Sequence, residues 1–181
     1  MNNFFRLSLA AFLTIAAPSY AANTAKQTPG ALNSGSYTSC GFAAGDINSL
    51  ANAAGIVATS ATLDNSSNLD TLMQISGTIT MGGTTSASGA FLKFYIVPQN
   101  QDGTTYGDQI TTIPSSNYEV ATVGIKGTVG SGTAITWTTS YFFIPTRGVF
   151  KVAIYNGTGA AFNASAAATI NCRTTNINLN G

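Results

Sequence analysis

The sequence predicts an all-β protein: an antiparallel β-sandwich, jelly-roll-like, with one short helix at most. Three observations predict it. Short runs of β-branched and aromatic residues alternate with polar ones at a period of two, the mark of a half-buried strand. Gly, Asn and Pro separate these runs at regular intervals. No stretch carries the long 3.6-residue apolar period that a packed helix needs.

The elements follow in order. Residues 47–54 form the one helix candidate, with Asp46 as N-cap and Gly55 as stop. Residues 55–63 and 69–81 are strand runs, the second ending at Gly82-Gly83 before a loop to Gly89. Residues 91–97 are nearly continuous in apolar side chains and stop at Pro98. They read as a central strand with Lys93 on its more exposed face. Residues 118–126 alternate Tyr118, Val120, Thr122 and Gly124 against Glu119, Ala121, Val123 and Ile125. Residues 134–144 place Trp137, Thr139, Tyr141 and Phe143 on one face. Residues 149–155 lead into Asn156-Gly157, a strong hairpin-turn dipeptide because both residues tolerate positive φ. Residues 164–173 form the last strand. About seven strands of this kind fit one sandwich domain.

The domain organisation has three parts. Residues 1–21 resemble a secretory leader: Arg6 is followed by an apolar run over 7–17, then Pro18 and the small residues Ser19 and Ala21. Cleavage is expected after Ala21. The alternative is an uncleaved hydrophobic segment or anchor. The run is short for a bilayer span, which takes about 20 residues. Loss of Arg6 with the leader leaves equal numbers of basic and acidic residues. Residues 22–37 read as a flexible polar arm, and 38–181 as the sandwich. Export also accounts for the two cysteines, Cys40 and Cys172. In an oxidising compartment they are expected to bond; otherwise they are two buried thiols.

Composition excludes several functions. Charged residues are 7% of the chain, against about 25% in ordinary globular proteins. Seven scattered Lys and Arg make no basic patch, so no nucleic-acid partner is expected. A near-zero net charge gives little colloidal repulsion and favours packing in an assembly. A secreted β protein with a Thr/Asn surface accounts for it equally.

No catalytic, cofactor-binding or metal-binding residues are expected. The chain has no His, so the commonest general base is missing. The acids are Asp46, Asp64, Asp70, Asp102, Asp108 and Glu119. Asp102 and Asp108 lie in the turn-rich loop 99–108, where Asp-Gly is ordinary turn chemistry. That loop lacks the ligand spacing of a Ca²⁺ loop, and two cysteines without His do not make a zinc site. The Gly-rich stretches 81–83 and 129–132 open no helix and are not phosphate cradles. Four residues remain as candidates for surface contact: Trp137 and Tyr141 on the aromatic stripe, and Asp102 and Tyr106 in the loop. A buried stripe is simply core. An exposed one can stack on a glycan or a neighbouring subunit.

Three segments carry a resemblance. They are Asn48-Ser49-Leu50-Ala51-Asn52 with 60–69, Tyr95-Ile96-Val97-Pro98 followed by Asp102-Gly103-Thr104-Thr105-Tyr106, and Phe150-Lys151-Val152-Ala153-Ile154-Tyr155-Asn156-Gly157-Thr158-Gly159-Ala160. In this order they resemble small virion structural proteins of tailed phages, over about residues 46–175. The resemblance implies a β-sandwich on the particle exterior, as a capsid decoration or tail-associated protein, with no catalytic residues. Its partners would be protein neighbours in a repeating assembly. The leader-like N-terminus and the cysteine pair depart from that pattern. They point to an exported bacterial surface adhesin or pilin-like filament subunit as the alternative, and a carbohydrate-binding module with a glycan partner is a further one. Each places the chain outside the cytoplasm, on a virion, secreted or at a cell surface.

Overall fold

The structure, a computed structural model, describes residues 33–34, 37–43, 45–67, 69–86, 88–106, 118–144, 148–165 and 168–176. The expected leader with Ala21, most of the expected arm, and Asp108 lie outside them. The described chain forms two antiparallel sheets packed face to face, as the all-β expectation requires.

Eleven strands are described. They are β1 (Asn33–Ser34), β2 (Thr38–Ser39), β3 (Ala54–Val57), β4 (Leu63–Asp64), β5 (Leu72–Thr80), β6 (Phe91–Pro98), β7 (Glu119–Gly124), β8 (Ala134–Thr138), β9 (Phe142–Phe143), β10 (Val149–Gly157) and β11 (Thr169–Asn176). In the first sheet β11 lies between β5 and the short pair β1 and β2, and β5 carries β8 and β9 on its far edge. In the second sheet β10 lies between β6 and the pair β3 and β4, and β7 closes the far edge of β6. Counting each short pair as one strand gives eight positions. First pairs with eighth, second with seventh, third with sixth and fourth with fifth. That nested pairing is a jelly roll. Asn33 and Ser34 fall within the expected arm but pair with Asn176 and Thr175.

The core lies between the sheets. Alternation sends Met73, Ile75 and Ile79 of β5, Trp137 of β8, and Ile170 and Cys172 of β11 inward from one side. Leu92, Phe94 and Ile96 of β6 and Phe150, Val152 and Ile154 of β10 meet them from the other. Cys40 and Cys172 form the disulfide, both buried, with Cα atoms 5.0 Å apart. The bridge lies within one sheet: Cys172 pairs with Thr38, and the Cys40 N–H donates to the Ile170 carbonyl. It ties the short edge strand β2 to β11.

Several sequence expectations are corrected. Residues 47–54 are not a helix but a run of turns, with Ser49 and Ala53 at positive φ. Asp46 does not cap a helix. Its carboxylate accepts from the N–H groups of Ala43 and Thr59 and from the Thr59 hydroxyl, and so staples two loops. Run 55–63 is two short strands, β3 and β4, separated by an irregular stretch.

The Asn156-Gly157 dipeptide is not a hairpin turn. Both residues belong to β10, paired with Leu92 and Phe91. The left-handed glycine is Gly159, at φ +89°. The Asn156 side chain is fully buried and supplies the reason. Its Nδ2 donates to the carbonyls of Leu50 (2.9 Å), Ala51 (3.2 Å) and Ala160 (2.9 Å), and its Oδ1 accepts from the Thr158 N–H and hydroxyl. Gly157 is required by space: a Cβ there would lie 2.5 Å from the Phe91 ring.

The stripe over 134–144 breaks for a reason of register. β8 pairs Thr138 with Ser76, but β9 pairs Phe142 with Met73, so one extra residue is inserted. Such a bulge reverses every later side chain. Trp137 points inward and is 6% exposed, whereas Phe143 points outward and is 73% exposed. Thr139 makes the bulge possible. Its N–H donates to the Ile75 carbonyl and its hydroxyl accepts from the Ile75 N–H, replacing a ladder bond. A second bulge in β7 inserts Val120 and moves Glu119 to the face of Thr122.

Two outcomes follow from this packing. Replacing both cysteines by Ser removes a cross-link spanning 132 residues. The unfolding free energy is expected to fall by about 2–4 kcal/mol, read as a lower urea midpoint; equal midpoints with and without reductant contradict it. Asn156→Ala removes five hydrogen bonds made by one buried side chain, three to carbonyls and two from Thr158, and is expected to cost about 2–4 kcal/mol in the same assay. Asn156→Asp is expected to destabilise as well, because a carboxylate cannot donate to carbonyls.

Candidate contact surfaces

The second sheet has an apolar outer face as well as an apolar inner one. Because Leu92, Phe94 and Ile96 point inward, Phe91, Lys93, Tyr95 and Val97 of β6 point outward. Lys151, Ala153 and Tyr155 of β10 lie beside them. Tyr95, Val97 and Ala153 are buried under Val57, Tyr106, Tyr118 and Tyr155, forming a second apolar cluster outside the main core. Phe91 and Tyr155 stack with ring centroids 6.0 Å apart. The nearly unbroken apolar run 91–97 carried this signal, since a strand apolar on both faces has something on each.

Charges on this face are held by rings and by one ion pair. Lys151 Nζ lies 4.7 Å from the Tyr106 ring centroid. Lys93 donates to Glu119 Oε2 at 2.7 Å and lies over the Phe91 ring. The hydrogen bond to Glu119 raises the Lys93 pKa. Burial works to raise the Glu119 carboxyl, but hydrogen bonds from Lys93 and Thr122 and the Lys93 charge outweigh it and leave the pKa lowered. Burial and the Glu119 charge push the Tyr95 hydroxyl up. The bulge in β7 creates this arrangement by bringing Glu119 to the outer face.

The four residues singled out from sequence do not converge. Asp102 shapes its own loop, accepting from the N–H groups of Thr104 and Thr105 and from the Thr105 hydroxyl. Tyr106, bridged to Gln99, joins the aromatic outer face of the second sheet. Trp137 belongs to the core, with its ring 5.9 Å from Phe94 and its Nε1 without an acceptor among the described residues. Tyr141 lies at the first bulge, with the Arg173 guanidinium 5.5 Å from its ring. Phe91, Tyr95, Tyr155, Lys151 and Arg173 were not singled out, because which side of a strand faces outward depends on the partner sheet.

Four of the described carboxylates, Asp46, Asp64, Asp102 and Glu119, are engaged structurally. Asp46 staples loops, Asp102 forms a turn, and Glu119 pairs with Lys93. Asp64 and Asp70 border one hollow of about 230 Å³. The side-chain and backbone hydrogen bonds of Ser66 lower the Asp64 pKa, so it offers no proton near neutral pH. Among the described residues no cluster of His, Cys, Asp and Glu is fit to hold a metal ion.

The Thr105 hydroxyl and the Thr105 and Thr104 N–H groups hold the Asp102 carboxyl at about 2, below its ordinary 3.8. A lowered folded-state value means the turn is stabilised above the ordinary carboxyl range. That stabilisation is lost as pH falls toward about 2. NMR titration of the Asp102 carboxyl is expected to give a midpoint near 2, and Thr105→Val to move it up toward 3.8.

Comparison with protein-family models, with curated proteins and with solved structures finds no match for this chain.

Proposed function

We propose that this chain is a non-enzymatic structural protein displayed outside the cytoplasm, a decoration or tail-associated component of a phage particle. The aromatic outer face of its second sheet is the docking face. The observation that carries this reading is that outer surface: four half-buried rings, from Phe91, Tyr106, Tyr118 and Tyr155, around the buried Tyr95, with Lys93 and Lys151 among them. Aromatic residues dominate binding at protein interfaces. The resemblance over residues 46–175 supplies the phage assignment, and the structural use of the carboxylates supports a role without catalysis.

A second reading, an exported bacterial surface protein, is favoured by the disulfide, which fits an oxidising compartment. Its pilin-like form has less support. That form needs a vacant strand position and an apolar arm, whereas all eight jelly-roll positions are filled among the described residues and 22–32 are mostly small or polar.

Mass spectrometry of the protein at its native source separates the two readings. Recovery with purified particles at constant stoichiometry is the expected result. The Phe91→Ala, Tyr155→Ala double variant is then expected to lower particle occupancy about tenfold or more, for a loss of at least 1.4 kcal/mol. Recovery only from cells or medium, with residues 1–21 absent, would overturn the phage assignment.

A further inference from the structure

The outer face of the first sheet has a different chemistry. Alternation places Gln74, Ser76 and Thr78 of β5 outward, beside Arg173, Asn171 and Thr169 of β11. Thr138 and Thr136 of β8 lie opposite Ser76 and Thr78. The rows read Arg173–Gln74, then Asn171–Ser76–Thr138, then Thr169–Thr78–Thr136. Thr136, Thr138 and Thr169 are exposed, and the Thr78 and Thr136 hydroxyls are 3.1 Å apart. At about 3.4 Å per residue, the three rows extend about 14 Å along the strands.

Arg173 is the one charge in these rows. Its guanidinium lies 4.7 Å from the Tyr37 ring centroid and 5.5 Å from that of Tyr141, so two rings hold it. Its Nη2 donates to Gln74 Oε1 at 2.7 Å, and the Tyr37 hydroxyl donates to the same oxygen at 2.6 Å. Gln74 is fixed in turn, because its Nε2 donates to the Thr139 carbonyl. Arg173 has no carboxylate partner among the described residues, where Lys93–Glu119 is the one ion pair. The Nε is buried without an acceptor. Of five N–H donors on the fork, the described residues engage one and the buried Nε–H is out of a ligand's reach, so three remain. A guanidinium held in one orientation with donors to spare is preorganised for a carboxylate.

We propose that this face binds a carboxylate-bearing polysaccharide of the uronate type. Arg173 takes the carboxylate, and the hydroxyl and amide rows pair with the sugar hydroxyls. The rows favour a saccharide over an acidic peptide. They offer many short polar groups, and the apolar row next to Arg173, Leu72 with the exposed Phe143, presents a ring for stacking on a sugar, which suits a polyol better than side chains. The inference does not rest on the phage assignment, since it uses the opposite face of the molecule.

The test is calorimetric titration of the full chain with a short oligogalacturonate and with its methyl ester. The ester keeps the hydroxyls and loses the charge. The acid is expected to bind at least tenfold more tightly, with affinity falling as salt rises. Arg173→Gln is expected to reduce acid binding to the level of the ester. Because Arg173 also bridges Tyr37 and Tyr141, thermal melting checks that this variant is folded. The Thr136→Val, Thr138→Val double variant leaves the arginine clasp in place and is expected to weaken binding severalfold. Equal binding of acid and ester overturns the proposal, as does unchanged binding by either variant. Tighter binding of polyglutamate than of the oligogalacturonate would also overturn it, in favour of an acidic protein ligand.

Discussion

The buried Asn156 side chain is the constraint on which the arrangement of the strands depends. One amide joins three separate pieces of chain: the end of β10, the turns before β3, and the loop that crosses to the other sheet. Each of those carbonyls also accepts a second hydrogen bond, from the Phe162 N–H, the Ala54 N–H and the Thr158 hydroxyl, so the Asn156 amide acts as a shared knot between the pieces. Leaving the fully buried amide itself unpaired costs about 1–3 kcal/mol. It also fixes where β10 stops being a strand, and so where the chain leaves the second sheet for β11.

Charge contributes to this fold in an unusual way. Of the four described cations, Lys93, Lys151 and Arg173 each lie over at least one aromatic ring, and Lys93 alone has a carboxylate partner. Partly exposed ion pairs contribute about 0–1 kcal/mol, and ring contacts about the same. A fully buried Phe, Leu or Ile contributes about 1.5–3 kcal/mol. Stability therefore rests on the inner faces of the two sheets, and the few charges are left to define the surfaces. One outer face becomes aromatic, the other polar with a single arginine.

The legible parts of the sequence were those governed by a local rule. The central strand β6, its stop at Pro98 and the outward Lys93 follow from the apolar run itself. β5, β10 and β11 fall within a few residues of their expected places. The pairing of Cys40 with Cys172 follows from there being two cysteines. The misread parts share one cause. The helix expected over 47–54, the turn expected at Asn156-Gly157 and the stripe expected over 134–144 each depended on a long-range partner. Ser49 and Ala53 take left-handed turns because the carbonyls beside them are met by Asn156, more than a hundred positions away. Trp137 and Phe143 share a face in an unbroken strand, but Thr139 pairs with Ile75 and inserts a residue between them.

The sequence by itself determined the class of this protein. Period-two alternation, Gly and Asn punctuation and missing His leave a β-sandwich without the usual catalytic groups. The tertiary structure alone decided which residues form its surfaces. Facing is a parity, and each bulge inverts it for every residue that follows. A bulge is set by the hydrogen bonds of the neighbouring strand, which the local sequence does not contain. For that reason Tyr141 meets Arg173, Glu119 meets Lys93, and Phe143 turns away from the core that Trp137 enters.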